Sequence, residues 1–182
     1  MSLSASDVSV GVFVRGLTNV KSQLRTAEAH AAASGWDAAS LLDARLSQGG
    51  RTSDVPYDLH TYNFAAHVHW AAEGARLAIA RIVGAPAVPA PNPPASFLGL
   101  HQRIDATIGT LQATAAGDIE AGLGRGLVVE HRRGAVSADG GRFLLAYAIP
   151  HFFYHVTTAY DILRREGVPL TMGDFLGPWG SA

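Results

Sequence analysis

His151 and His155 stand four residues apart in a run, Phe143 to Tyr160, that carries no formal charge. On a helix this spacing places both imidazoles on one face, one turn apart, as two metal ligands from a single helix require. Tyr154 and Thr158 lie on the same side, and Tyr147 sits one turn before His151. A polar stripe on an apolar helix is informative because buried polar groups need partners.

A second segment offers a third imidazole. His60 and His67 are seven residues, hence two helical turns, apart, with Asn63 between them. They border an apolar stripe of Phe64, Val68, Ala71, Ala75, Ile79 and Ile82. His69 is expected on the outer face. Two histidines of the last helix and one of this helix, His67 or alternatively His60, would form a three-imidazole site with an open position for water or substrate. A divalent ion there would lower the pKa of a bound water and act as a Lewis acid. Without an ion, the same region is a ligand cleft with Asn63, Tyr147, Tyr154 and Thr158, its imidazoles hydrogen-bonded to tyrosines or backbone carbonyls. Both readings stand at this point. The histidine pair lacks the glutamate of a zincin helix, so it is not that hydrolase motif.

Other candidates read as structure. Gly122-Leu-Gly-Arg-Gly126 lacks the strand-turn-helix setting of a phosphate loop and reads as a turn. Asp118, Glu120 and Glu130 are expected in solvent, and Arg132-Arg133 on a hairpin tip. Asp161 with Arg164 and Arg165 fits helix-surface ion pairing. No serine sits in a nucleophile elbow, which leaves no hydrolase triad.

Composition narrows the classes further. The chain has 182 residues, 48% hydrophobic and 16% charged, with eight histidines and no cysteine. That length predicts one domain over 1–182, and the apolar fraction excludes a disordered chain. Fourteen basic against 15 acidic residues leave no electrostatic footprint for nucleic acid. The lack of cysteine removes thiolate metal sites and thiol nucleophiles. Met1 to Asp7 carries no secretion signal, so a cytoplasmic location is expected. The uncharged run Phe143–Tyr160 contains Pro150, two histidines and three tyrosines, which suits a helix buried in protein rather than a membrane span.

The elements that must position these residues are helices. Val10, Phe13, Leu17, Val20, Leu24, Ala27 and Ala31 form one stripe from Ser4 to Ser34, with Ser4 and Asp7 as a capping box and Gly35 as the stop. Asp37 caps a short helix through Leu46, and Ser47–Pro56 reads as a loop. The second long helix is expected over Asp58–Val83, ending at Gly84. Five prolines in Ala85–Pro94 require an extended connector. A third helix covers Ala95–Ala116. Gly117–Gly141 reads as irregular, with Leu127–His131 and Ala135-Val136 as a small hairpin. The last long helix spans Gly141–Glu166, kinked or divided by Pro150. The fold class is therefore all-α: a four-helix bundle with a long crossover connection and a small hairpin before the last helix.

The run Pro150-His-Phe-Phe-Tyr-His-Val-Thr-Thr-Ala-Tyr-Asp-Ile-Leu-Arg164, then Gly167-Val168 and Asp174-Phe-Leu-Gly177, resembles a domain-of-unknown-function family of bacteria and fungi. That family is grouped with the DinB-like (YfiT-like) helical bundles. Thr26-Ala-Glu-Ala-His30 and Leu41-Leu-Asp-Ala-Arg-Leu46 resemble its first helix and the short helix after it. The resemblance implies a DinB-like bundle, often a homodimer, over nearly the whole chain. It also implies a divalent metal, Zn or Ni, held by one histidine of the second helix and an HxxxH pair of the fourth. His151 and His155 match the pair, and His67 or His60 the single ligand. Several relatives of that type transfer low-molecular-weight thiols to small-molecule substrates. In this chain the thiol would have to come with the substrate.

Overall fold

Ser4 and Asp7 bond reciprocally, as the capping box predicts. Ser4 N and Oγ donate to Asp7 Oδ2 at 2.9 and 2.7 Å, and Asp7 N donates to Ser4 Oγ at 3.1 Å. The computed structural model describes residues 2–46, 62–131 and 134–178. A π turn, Asp7–Gly11, leads into α1 (Val12–Ser34), which buries Phe13, Leu17, Val20, Leu24, Ala27 and Ala31. Gly35 ends it at φ 66°, a left-handed position open to glycine. Asp37 caps α2 (Ala38–Asp43), accepting from Ala39 N. That helix stops short of the expected Leu46, because Ala44 turns extended and its carbonyl accepts from Phe64 N instead.

Helix α3 (Phe64–Val83) starts later than the apolar pattern suggests: Tyr62 and Asn63 lie outside it. Asn63 is the N-cap, its side chain accepting from Ala66 N at 2.9 Å, which sets the helix start. Ser96 caps α4 (Phe97–Gln112). The glycine-rich stretch expected to be irregular contains α5 (Ala116–Leu123), then strands β1 (Gly126–His131) and β2 (Gly134–Asp139). The strands pair antiparallel from Gly126↔Asp139 to His131↔Gly134, a longer hairpin in the expected place.

The fourth long helix is one column in three parts: α6 (Gly140–Phe143), a π turn (Leu144–Ala148) and α7 (Ile149–Arg165). Pro150 does not break the column. Its ring would clash with a carbonyl one turn back and it donates no hydrogen bond; the widened π turn just before it absorbs that defect. A last short helix, α8 (Met172–Leu176), buries none of its residues. It is held from α1: Arg15, Asn19 and Gln23, one turn apart each, donate to the carbonyls of Leu176, Phe175 and Asp174. Asp174-Phe-Leu-Gly177 is therefore a clasp on the bundle.

Helix α1 borders α4 and α7, and α3 borders the same two, so the long helices close a ring in the order α1, α4, α3, α7. Helices α1 and α3 lie diagonally, which is the long crossover. The most extensive packing among the long helices is between α3 and α7. Alanines at 65, 71, 72, 75 and 78 on α3 are buried there or against α4, and such small side chains let helices approach. No described helix is long and apolar enough to cross a membrane.

One close approach carries a prediction. A Cβ on Gly140 would lie 2.2 Å from the carbonyl oxygen of Gly122, with more backbone of Gly122 and Leu123 at 3.1 and 3.2 Å. The bare Gly140 thus lets α6 meet the last turn of α5 backbone to backbone, while a Cβ on Gly122 would meet the Ile82 carbonyl of α3. Gly140→Ala is expected to cost about 2 to 3 kcal/mol, read from urea unfolding, because backbone cannot yield as a side-chain tip can.

Candidate functional site

The α3–α7 interface brings together His67, His151 and His155. His67 and His155 are each 1% exposed, and their Nδ1 atoms lie 3.0 Å apart in a hydrogen bond. His151 stands edge-on to His155 with ring centroids 4.7 Å apart, against 5.1 Å for His67 and His155. Aromatic rings enclose the group. Tyr62 stacks on His155 and Trp70 and meets His67 edge-on. Tyr154 packs on His67 and His155, and Tyr147 stacks on His151 at 5.5 Å.

Burial pushes the His155 pKa down to about 2, helped by the neighbouring imidazoles of His151, His67 and His69. Burial also lowers His151. These rings are therefore neutral at pH 7, the form a metal ligand requires. The sign of the pH effect follows. Unfolded, the His155 imidazole titrates near 6.5; folded, near 2. Between those values the unfolded chain carries the extra proton, so stability is complete above pH 6.5 and falls as the medium becomes more acid. In chelator-treated protein, His155 alone should remove about 2 kcal/mol between pH 7.5 and 5. His151 and His69 act in the same direction. Urea unfolding at the two pH values checks this, with His155→Gln losing correspondingly less.

The donor set suits a borderline divalent ion by residue type. Two ligand nitrogens at a metal–nitrogen distance of 2.0–2.1 Å lie roughly 3.0 Å apart in octahedral and 3.3 Å apart in tetrahedral coordination. The Nδ1 pair of His67 and His155 has that spacing. His151 is turned otherwise: a Cβ on Gly74 would lie 3.1 Å from its Nδ1, so that nitrogen faces the α3 backbone. Among the described residues no three histidine or acidic side chains converge on one point. The spacing of these two Nδ1 atoms is thus compatible with a shared ion as well as with their hydrogen bond, and the third imidazole adjoins them. His60 lies outside the described residues.

Other expected site residues are placed differently. Asn63 is engaged at the start of α3: its side-chain carbonyl caps the helix and its amide donates to Asp43 Oδ1 at 2.9 Å. The Thr158 hydroxyl is spent on the Tyr154 carbonyl of its own helix. His69, expected outside, is 1% exposed, and its Nδ1 is buried with no hydrogen-bond partner among the described residues. The reason is that α3 lies between α7 and α4 and so buries two faces. Burial lowers the His69 pKa, with the Arg103 charge adding to it. Asp161 is exposed, and among the described residues it forms no ion pair; Arg165 instead donates to the carbonyls of Arg45 and Leu46.

The residue-pattern reading misses a buried carboxylate. Glu73, 1% exposed on α3, accepts from Arg76 at 3.2 and 2.9 Å and from the Ala90 N–H at 2.9 Å, with Arg103 at 3.5 Å. Burial works against its charge, but the Arg76 bonds and the Ala90 N–H outweigh it and keep the pKa below the ordinary carboxylate range. Arg76 also donates to the Val88 carbonyl, so the proline-rich connector is tied down onto α3. The signal available was one acid in an apolar helix, with Arg76 three residues on.

Beside His151 opens a cleft of about 220 Å³ between α3, the π turn and this connector. Tyr147 is among its lining residues, and Tyr154 is not.

The family model for a domain of unknown function, DUF1993, matches residues 6–176. A crystal structure of a DinB family member protein from Shewanella denitrificans is similar over 97% of this chain and 94% of that chain, with a TM-score of 0.82 and 26% identity. No curated protein matches. With the four helices closed in a ring and the family's C-terminal run at its α7 and α8, the chain belongs to the DUF1993 family, within the DinB-like superfamily.

Proposed function

We propose that this DinB-like bundle is a divalent-metal enzyme whose site lies between α3 and α7. His67 and His155 hold the ion, and His151 turns in as the third ligand. The observation that carries this reading is the pair of buried imidazoles with Nδ1 atoms 3.0 Å apart, next to a third on the same helix face as His155. A bound ion supplies Lewis-acid chemistry and lowers the pKa of a coordinated water or thiol. The chain's own residues do the rest. Tyr62, Tyr154 and Trp70 wall the imidazoles from water, and Tyr147 stacks on His151 to orient its ring. A thiol-dependent transfer fits a chain with no cysteine if the thiol arrives as a substrate.

Elemental analysis of tag-free protein tests the reading. One equivalent of Zn or Ni, lost on His67→Ala, supports it; no stoichiometric metal overturns it. A second reading has its own support. The His67–His155 hydrogen bond engages both Nδ1 atoms without an ion, so the site also suits a metal-free ligand-binding bundle. Ligand binding unchanged by chelator in metal-free protein favours that alternative.

A further inference from the structure

We infer that the cleft beside His151 is a binding site for a flat, apolar monocarboxylate, held by Arg81. The inference goes beyond the metal reading and does not depend on it. The cleft's walls are Trp70, Phe143 and Tyr147 on the aromatic side and Leu77, Ala78 and Pro89 on the other. These surfaces suit a flat apolar body. Arg81 lines the same space, half-buried, and among the described residues its guanidinium has no ion pair or side-chain hydrogen bond. Among the described residues, no acidic side chain lines the cleft.

An arginine so placed offers a planar fork of donors without an acceptor, which matches a carboxylate. One guanidinium balances one negative charge, which favours a monocarboxylate over a phosphate dianion. At the other end is His151, against Gly74. Gly74 and Arg81 are seven residues apart on α3, so the two polar ends are separated by about 10 Å. A bound molecule carries its carboxylate toward Arg81 and a hydrogen-bonding group toward His151. Arrangements of this kind fix a ligand's direction as well as its class. The gap at Gly74 is part of the device, because any larger side chain would meet His151 Nδ1.

The test uses 6-hydroxy-2-naphthoate and its uncharged amide, titrated calorimetrically into full-length protein. Wild type is expected to bind the carboxylate saturably at one site, and the amide about tenfold more weakly. Arg81→Gln should weaken the carboxylate about tenfold and leave the amide unchanged, which assigns the effect to the charge pair rather than to folding. Tyr147→Ala removes an exposed wall and should weaken both probes. All titrations are run on chelator-treated, metal-free protein, so that their outcome is separate from that of the metal reading. Absence of saturable carboxylate binding by wild type overturns the inference. So does an Arg81→Gln affinity for the carboxylate within twofold of wild type.

Discussion

His155→Ala should lower the affinity of metal-stripped protein for Zn or Ni by about 100-fold or more, while Thr158→Ala leaves it unchanged. His155 is the hub of the site. It bonds to His67 and packs edge-on to His151. Removing it takes out the one imidazole seen in contact with both of the others. Thr158 serves as the control because its hydroxyl bonds within its own helix. Calorimetric titration reads the affinities, with circular dichroism to show that each variant is folded. Equal binding by wild type and His155→Ala would remove His155 from the metal reading.

Glu73→Ala should destabilise the protein by about 3 kcal/mol, measured by urea unfolding. The carboxylate is buried and holds Arg76, Arg103 and the Ala90 N–H together. Deleting it leaves two arginines without their acceptor, although each keeps some contact with solvent, which places the loss at the low end for a broken buried pair. Glu73→Gln retains shape and an acceptor, so it should cost less. The variant also releases the connector at Ala90, and with it the Pro89 wall of the cleft.

Much of this architecture is legible in the order of residues. The stripe from Phe13 to Ala31 and its stop at Gly35 read directly, because one helix face suffices to identify a helix packed on one side. The four-residue spacing of His151 and His155 brings their imidazoles together on α7 for the same reason. The errors came where one face was not enough. Helix α3 is covered by α7 and α4 at once, so His69, opposite the apolar stripe, is buried rather than in solvent. Periodicity also ran through Tyr62 and Asn63, where a local side-chain bond to Ala66 N won and ended the helix. Glu73 was illegible because Ala90 and Arg103 are far along the chain. Arg81 gained meaning only when the connector came to lie across α3.

That connector has a thermodynamic consequence. Five of the ten residues from Ala85 to Pro94 are prolines, each with φ held near one value even in the unfolded chain. A segment so restricted surrenders little conformational entropy when it docks. The few hydrogen bonds from Glu73 and Arg76 therefore suffice to hold a whole wall in place. Ligands meet a surface shaped in advance, and their affinity is not spent on ordering it.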